Sequence, residues 1–484
     1  MQQIPFAPLK KVFFCDKQSS MRAFRLGGLI LWSCVLSAVA WSAEDLGSIL
    51  RSSEQQKAKF AVYAVRAEDG RVLYSYHAAS PMMPASNMKL IATAAAIHYL
   101  KADYVFRTKV GLWNGNLVVI GQGDPLLGDL QTDQRYNRPP GWILETIISV
   151  LKQNKIRSVD DIIIDASFFD NNRVHPSWPP EQLNQSYACE VSGLNYNCNC
   201  IHILAKKQGG KASLEINPPT SYVTLIEQAR LVNKGSSALG VYRNSKPNVL
   251  IVKGSLNARA EFDVAIEKPA AFFAWLLKER LTQTGIEVRG NLVQQYVKKE
   301  PGIRILHTFE TPLSDVLNRC NKDSLGLAAE ALVKTISAEH TEGKINGEWP
   351  HGLKLISRYL QSLGADPNEF QLDDGSGLSR DNRLTAQIIV SVLQDVYKSA
   401  GWKMFESSLA VGGEDGTAAK YFQNPRYKGN ILGKTGYIAG VRSFSGVCKT
   451  PSGDILFSIL TENGSSLTRR AINEITEAIF DGRF

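Results

Sequence analysis

Histidine, cysteine and one-sided charge are all scarce in this sequence of 484 residues, and each shortage removes a class of function. There are seven histidines, none in a recognisable motif, and no Gly-x-Ser-x-Gly elbow, which argues against a serine hydrolase with a histidine base. The formal charge of +9 is less basic than it looks: Lys10, Lys11, Lys17, Arg22 and Arg25 against Asp16 place +4 of it before residue 44, leaving a modest +5. A nucleic-acid footprint needs a concentrated Lys/Arg stripe interleaved with aromatics, and none is present. Beyond residue 43 the cysteines are Cys189, Cys198, Cys200, Cys320 and Cys448, an odd set that leaves at least one thiol free. In an exported protein the close group Cys189, Cys198 and Cys200 could close one small loop by a disulfide. A zinc site needs about four ligands, and only His202 lies nearby.

The first 43 residues read as a targeting segment. Basic residues run to Arg25, an apolar stretch follows from Leu26 to Leu36, and small residues Ser37-Ala38-Val39-Ala40 come next, the pattern of a secretory signal peptide cleaved after about Ala40. Met21 as the start would give a leader of more ordinary length. An uncleaved anchor is the competing reading, but the apolar run is short for a membrane span. A lipoprotein site at Cys34 fits less well, because apolar residues continue past it and Trp32 precedes it.

The remaining length, in a chain that is 44% apolar, is too much for one core. Phe60 to Val65, the turn Glu68-Asp69-Gly70 and Val72 to Tyr76 form a β-hairpin pattern. From 103 to 302 the texture is short strands and turns with helices at Trp142–Gln153 and Pro269–Thr284, which reads as a mainly β insertion. Amphipathic helices return at about 311–320, 324–340, 352–363 and 385–398. Strands at Asn430–Tyr437, Val441–Lys449 and Ile455–Glu462 and a last helix from about Ser466 to Phe480 complete the chain. The expected architecture is α+β: an antiparallel sheet covered by helices, built from 44–102 and 303–484, with the insertion between them.

Pro84-Ala85-Ser86-Asn87-Met88-Lys89 opens a run rich in Ala and Leu, so Ser86 falls in the first helical turn and Lys89 one turn on, on the same face. A serine hydroxyl needs a base, and an amine can be that base when a helix N-terminus and apolar neighbours such as Leu90 and Ile91 lower its pKa. Alone, Ser-x-x-Lys describes many capped surface helices. Three other stretches accompany it. Gly433-Lys434-Thr435-Gly436-Tyr437 on a strand can line an edge that an extended peptide joins, its cation facing a carboxylate. Asn321 to Gly326 opens a helix, with Ser324 placed either for chemistry or as the N-cap. Asp374-Gly375-Ser376-Gly377-Leu378-Ser379-Arg380 is a turn-rich loop that puts an arginine on a rim.

Ser86-x-x-Lys89, Ser324-x-Gly326 and Lys434-Thr435-Gly436 in that order, with the 374–380 loop and Gly413-Glu414-Asp415-Gly416-Thr417 between the last two, resemble the D-alanyl-D-alanine carboxypeptidase/endopeptidase family, the class C low-molecular-weight penicillin-binding proteins. The likeness covers nearly the whole mature chain and includes the insertion. It implies the DD-peptidase/β-lactamase-like serine transpeptidase fold and a periplasmic location. Peptidoglycan stem peptides would be substrates, β-lactams inhibitors, and peripheral membrane contact possible, with no metal or organic cofactor. It also implies Ser86 as nucleophile, Lys89 as its base, Ser324 as proton relay, and the backbone N–H groups of Ser86 and Ile438 as oxyanion hole. Lys434, Thr435 and Arg380 would hold the terminal carboxylate beside Gly436. The chain departs from the family at one motif position: the family has Ser-x-Asn where this chain has Gly326, so the side-chain amide that helps hold substrate and lysine is absent. That departure supports a second reading, a penicillin-binding fold that binds peptidoglycan or a partner without turnover. The leader reading predicts that protein recovered from cells begins near residue 41 to 44 on N-terminal sequencing; an intact leader in the membrane fraction would identify an anchor instead.

Overall fold

The computed structural model describes residues 45–52, 57–341 and 344–484; the expected leader lies outside them. The two ends of the chain share one six-stranded antiparallel sheet, in the order Ala410–Val411, Ile431–Ile438, Val441–Thr450, Gly453–Glu462, Lys59–Arg66, Val72–Tyr76. Strands Lys59–Arg66 and Gly453–Glu462 carry nearly continuous apolar runs because both faces are covered, and alternate residues go to opposite cores. Phe60, Val62, Phe444, Phe457 and Ile459 pack under the C-terminal helix Thr468–Asp481 through Ile472, Ile475 and Ile479. Ala61, Val65, Leu456 and Leu460 face the other way, toward helices Met88–Leu100, Gly326–Glu339 and Ala386–Lys398. The helix Met88–Leu100 is buried from Met88 to Ile97 on all sides, so its run of alanines serves close packing against several neighbours rather than one amphipathic stripe.

The insertion leaves this body after Leu100 and returns through the strand Arg304–Pro312, which pairs with Val105–Trp113 and leads directly into helix Leu313–Asn321. Between them stands a five-stranded mixed sheet, ordered Leu292–Gln294, Ile162–Asp165, Asn116–Gly121, Val105–Trp113, Arg304–Pro312. Helices Trp142–Gln153 and Pro269–Gln283 cover one face through Ile143, Ile147, Phe272, Phe273 and Leu277. Two three-stranded sheets lie in 200–265. The considered disulfide among Cys189, Cys198 and Cys200 is not formed. Cys198 sits in a left-handed turn, Asn197 to Asn199, that aims its Sγ at Asp129 Oδ1, 3.2 Å away, while the Cys189 and Cys200 thiols stand within hydrogen-bond reach of each other. Among the described residues no helix is long and apolar enough to cross a membrane.

A buried ion pair ties the insertion to the body that carries the six-stranded sheet. Arg319, 5% exposed, donates from Nε and Nη2 to the two oxygens of Asp129 at 2.7 and 3.1 Å and from Nη1 to Asp323 at 2.7 Å. Neither partner has water to fall back on. Asp129→Ala would leave Nε and Nη2 of the buried guanidinium unpaired, with Asp323 and Gln131 still on Nη1, and should cost about 3 kcal/mol of unfolding free energy, read by urea denaturation.

Candidate active site

The turn that carries Ser86 is fixed from both sides. Ala85 adopts a left-handed φ of +47°, a 3-10 turn spans Ala85–Asn87, and helix Met88–Leu100 follows at once. Asn87 is fully buried; its Nδ2 donates to Lys434 O at 2.6 Å and its Oδ1 lies 2.7 Å from Ser445 Oγ. Ser443 Oγ donates to Pro84 O at 2.7 Å. The central strands thus hold the turn by three side-chain bonds, a determinant that the local sequence around Ser86 does not display.

Lys89 is 3% exposed, and its Nζ stands 3.2 Å from Ser86 Oγ and 2.7 Å from the carbonyl oxygen of Ser376. Burial drives its pKa below the usual lysine range, against the opposing pull of Cys320, Asp374 and Glu330. Lys434 is buried too and pushed down further, by burial first and by Lys89 second. Its Nζ donates to Thr435 O at 2.8 Å. A carboxyl in the same interior, Glu330, is raised to about 7 by burial. An amine whose neutral form burial makes more accessible, within reach of a hydroxyl, can take that hydroxyl's proton.

Ser324 is not the cap of the helix it precedes: the helix begins at Gly326, its N-cap is Leu325, and Ser324 takes a left-handed φ of +63°. Such a backbone in a non-glycine residue costs on the order of 1 kcal/mol and needs support. Leu325 N donates to Arg319 O at 3.1 Å, Asp323 is held by Arg319, and Lys322 O accepts from Thr417 N at 2.9 Å. The Gly413–Thr417 stretch therefore buttresses the Ser324 turn, with Lys322 also ion-paired to Asp415. Gly326 is packed against the insertion: a Cβ there would stand 2.9 Å from Tyr187 O and 3.9 Å from Ser376 Cβ.

Ser86, Lys89, Ser324, Gly326, Arg380 and Ile438 line one cavity of about 750 Å³, together with Ser177, Pro179, Gln182, Tyr187 and Ser376. Lys434, Thr435 and Gly436 form the strand behind it; a Cβ on Gly436 would come 3.0 Å from Ser86 N. Beyond Ala410 paired with Gly433, that strand has no neighbour on its outer side among the described residues, which leaves an edge for an extended chain. Arg380 is exposed on the rim, one guanidinium nitrogen bonded to Ala439 O. Tyr242-Arg243-Asn244, which imitates a Tyr-x-Asn motif, lies instead at the end of an outer strand of the insertion, with Arg243 Nη2 on Leu183 O at 2.6 Å. Sequence reasoning gave no role to Glu330, Asp374, Ser376 or Tyr187. The alternation of Asp, Gly and Ser in 374–379 marked a tight loop but not its contact with Lys89.

Fold and site define a peptidase class with a helix-borne Ser-x-x-Lys pair behind a Lys-Thr-Gly strand. The D-Ala-D-Ala carboxypeptidase 3 (S13) family model matches residues 42–480, and the chain belongs to that family. It is 29% identical over 460 residues to a D-alanyl-D-alanine carboxypeptidase of Actinomadura sp. (strain R39), covering 89% of this chain and 82% of that one. It is 24% identical to the D-alanyl-D-alanine carboxypeptidase DacB of Haemophilus influenzae, covering 89% and 91%. The crystal structure of penicillin binding protein 4 from Haemophilus influenzae superposes with a TM-score of 0.75 at 21% identity, covering 90% of this chain and 99% of that one. The fold is therefore the DD-peptidase/β-lactamase-like fold with a β-rich insertion.

The space beside Gly326 bears on the missing amide. Adding asparagine there would push a Cβ against the Tyr187 backbone carbonyl, so Gly326→Asn should slow acylation of the site by a penicillin and lower the melting temperature, rather than restore a family contact. Second-order acylation rates and thermal unfolding of both proteins check this.

Proposed function

We propose that the protein is a serine D-Ala-D-Ala carboxypeptidase/endopeptidase that cleaves peptidoglycan stem peptides after export to the periplasm. The observation that carries the reading is the buried amine of Lys89 at 3.2 Å from Ser86 Oγ. Lys89 accepts the Ser86 proton as Oγ bonds to the carbonyl carbon of the D-Ala-D-Ala peptide bond. The C–N bond breaks as the proton passes through Ser324 to the leaving amine, and water then attacks the acyl ester with Lys89 again as base. Backbone N–H groups of Ser86 and Ile438 stabilise the oxyanion, while Lys434, Thr435 and Arg380 bind the terminal carboxylate beside Gly436. A β-lactam would enter the same first step and remain as a stable acyl-enzyme.

The purified protein should gain one penicilloyl mass on Ser86 by intact-mass spectrometry, and Ser86→Ala should gain none. It should release D-alanine from a pentapeptide, with release abolished in Lys89→Ala. An adduct that persists in Ser86→Ala refutes the nucleophile. A folded protein that is acylated yet releases no D-alanine from any wall peptide is a binder without turnover, the reading that Gly326 favours.

A further inference from the structure

With no side chain at 326, Lys89 needs another group to aim it. We propose that the peptide bond between Ser376 and Gly377 orients Lys89 in this chain, with Asp374 and Glu330 as positioning residues that fix that peptide. The inference rests on the functional reading above, in which Lys89 is the base.

A neutral amine has two N–H donors and one lone pair. The 2.7 Å bond from Lys89 Nζ to Ser376 O uses one donor and fixes the rotation of the group, so that the lone pair can face Ser86 Oγ. The same peptide group donates its N–H, that of Gly377, to Asp374 Oδ1 at 2.7 Å. A carboxylate on the N–H side of an amide polarises it and strengthens its carbonyl as an acceptor. The two preceding N–H groups are held as well, Ser376 N by Glu330 Oε1 at 2.7 Å and Gly375 N by Glu330 Oε2 at 3.0 Å. Asp374 and Glu330 are both fully buried, and their other oxygen contacts are filled by Ser379 N, Asn382 Nδ2, Trp178 Nε1 and Trp349 Nε1. Gly377, at φ +78°, lets this peptide lie against the nucleophile turn, since a Cβ there would fall 1.8 Å from Ala85 O. The loop thus reads out the position of Ser86 and Lys89 together.

The charged and titratable groups around Lys89 are Glu330 from helix Gly326–Glu339, Asp374 from the loop, Lys434 from strand Ile431–Ile438 and Cys320 from helix Leu313–Asn321. When ionised, both carboxylates favour the ammonium form of Lys89, which cannot act as base; Glu330, raised to about 7 by burial, does so fully only above that pH. Neutralising either one lets the amine lose its proton at lower pH, so the acid limb of the acylation profile moves to lower pH. Loss of aim acts separately, on the plateau.

The test is the second-order rate of acylation by a fluorescent penicillin as a function of pH, with thermal unfolding recorded alongside. Asp374→Asn should lower the plateau by about 100-fold, the scale of a misplaced reacting group, and shift the limb to lower pH. Glu330→Gln should shift the limb the same way but by less, because burial leaves Glu330 largely protonated below about 7, and with a smaller loss of plateau. Trp178→Phe removes a different donor from Asp374, at 3.0 Å, and should leave the limb where it is. Folded Asp374→Asn and Glu330→Gln proteins with the natural limb and plateau would overturn the inference while leaving the enzyme reading intact. Should Asp374→Asn fail to fold, Glu330→Gln decides on the same two readouts. A natural protein that is not acylated at any pH overturns the functional reading instead.

Discussion

Two lysines are buried side by side at the foot of the cavity in this protein, and the structure around them follows from that constraint. Lys89 and Lys434 are both buried, burial disfavours a charge on either, and Lys89 further disfavours a charge on Lys434. An ammonium there would need counter-charge close by, while an amine needs only a hydrogen-bond acceptor. The acceptors found are backbone carbonyls: Ser376 O for Lys89 and Thr435 O for Lys434. Glu330 and Asp374 stand one peptide removed and hold the loop that presents the first of these carbonyls.

That arrangement explains why distant parts of the chain converge. The N-terminal hairpin and the C-terminal strands share a sheet, and the sheet grips the Ser86 turn through Asn87, Ser443 and Ser445. The insertion reaches the same place by two routes. Asp129 holds Arg319 behind the Ser324 turn, and Trp178 donates to Asp374 beneath the loop that meets Lys89. A perturbation in either region would therefore be felt at the lysine without touching the cavity.

Much of the scaffold was legible because it depends on local periodicity. The hairpin before Ser86, helices Trp142–Gln153 and Pro269–Gln283, the strands of the Lys-Thr-Gly region and the last helix all carry their own pattern of apolar residues. Trp402–Ser408 was not foreseen, being a seven-residue helix too short to show a period. Within the site, the spacing of Ser86 and Lys89 on one helix was legible, but the cap alternative for Ser324 was not resolved from sequence. A capping serine has extended backbone, and the left-handed φ that puts Ser324 outside the helix is set by Arg319, Asp323 and Thr417 from elsewhere. Glu330 looks in sequence like an ordinary helical glutamate; only the fold shows it facing a loop 45 residues away.

The same distinction accounts for Gly326. Read as side chains, the Ser-x-Gly motif is a loss, a family amide with nothing in its place. Read as backbone, position 326 is where the Tyr187 carbonyl from the insertion comes closest to the helix start, and Gly377 is where the Ser376 loop comes closest to Ala85. Each glycine marks a place where two main chains meet beside Ser86 and Lys89, at a separation that no Cβ would permit. A wall made of peptide groups can accept and donate hydrogen bonds as an amide side chain does, and it is held by the fold rather than by one rotamer.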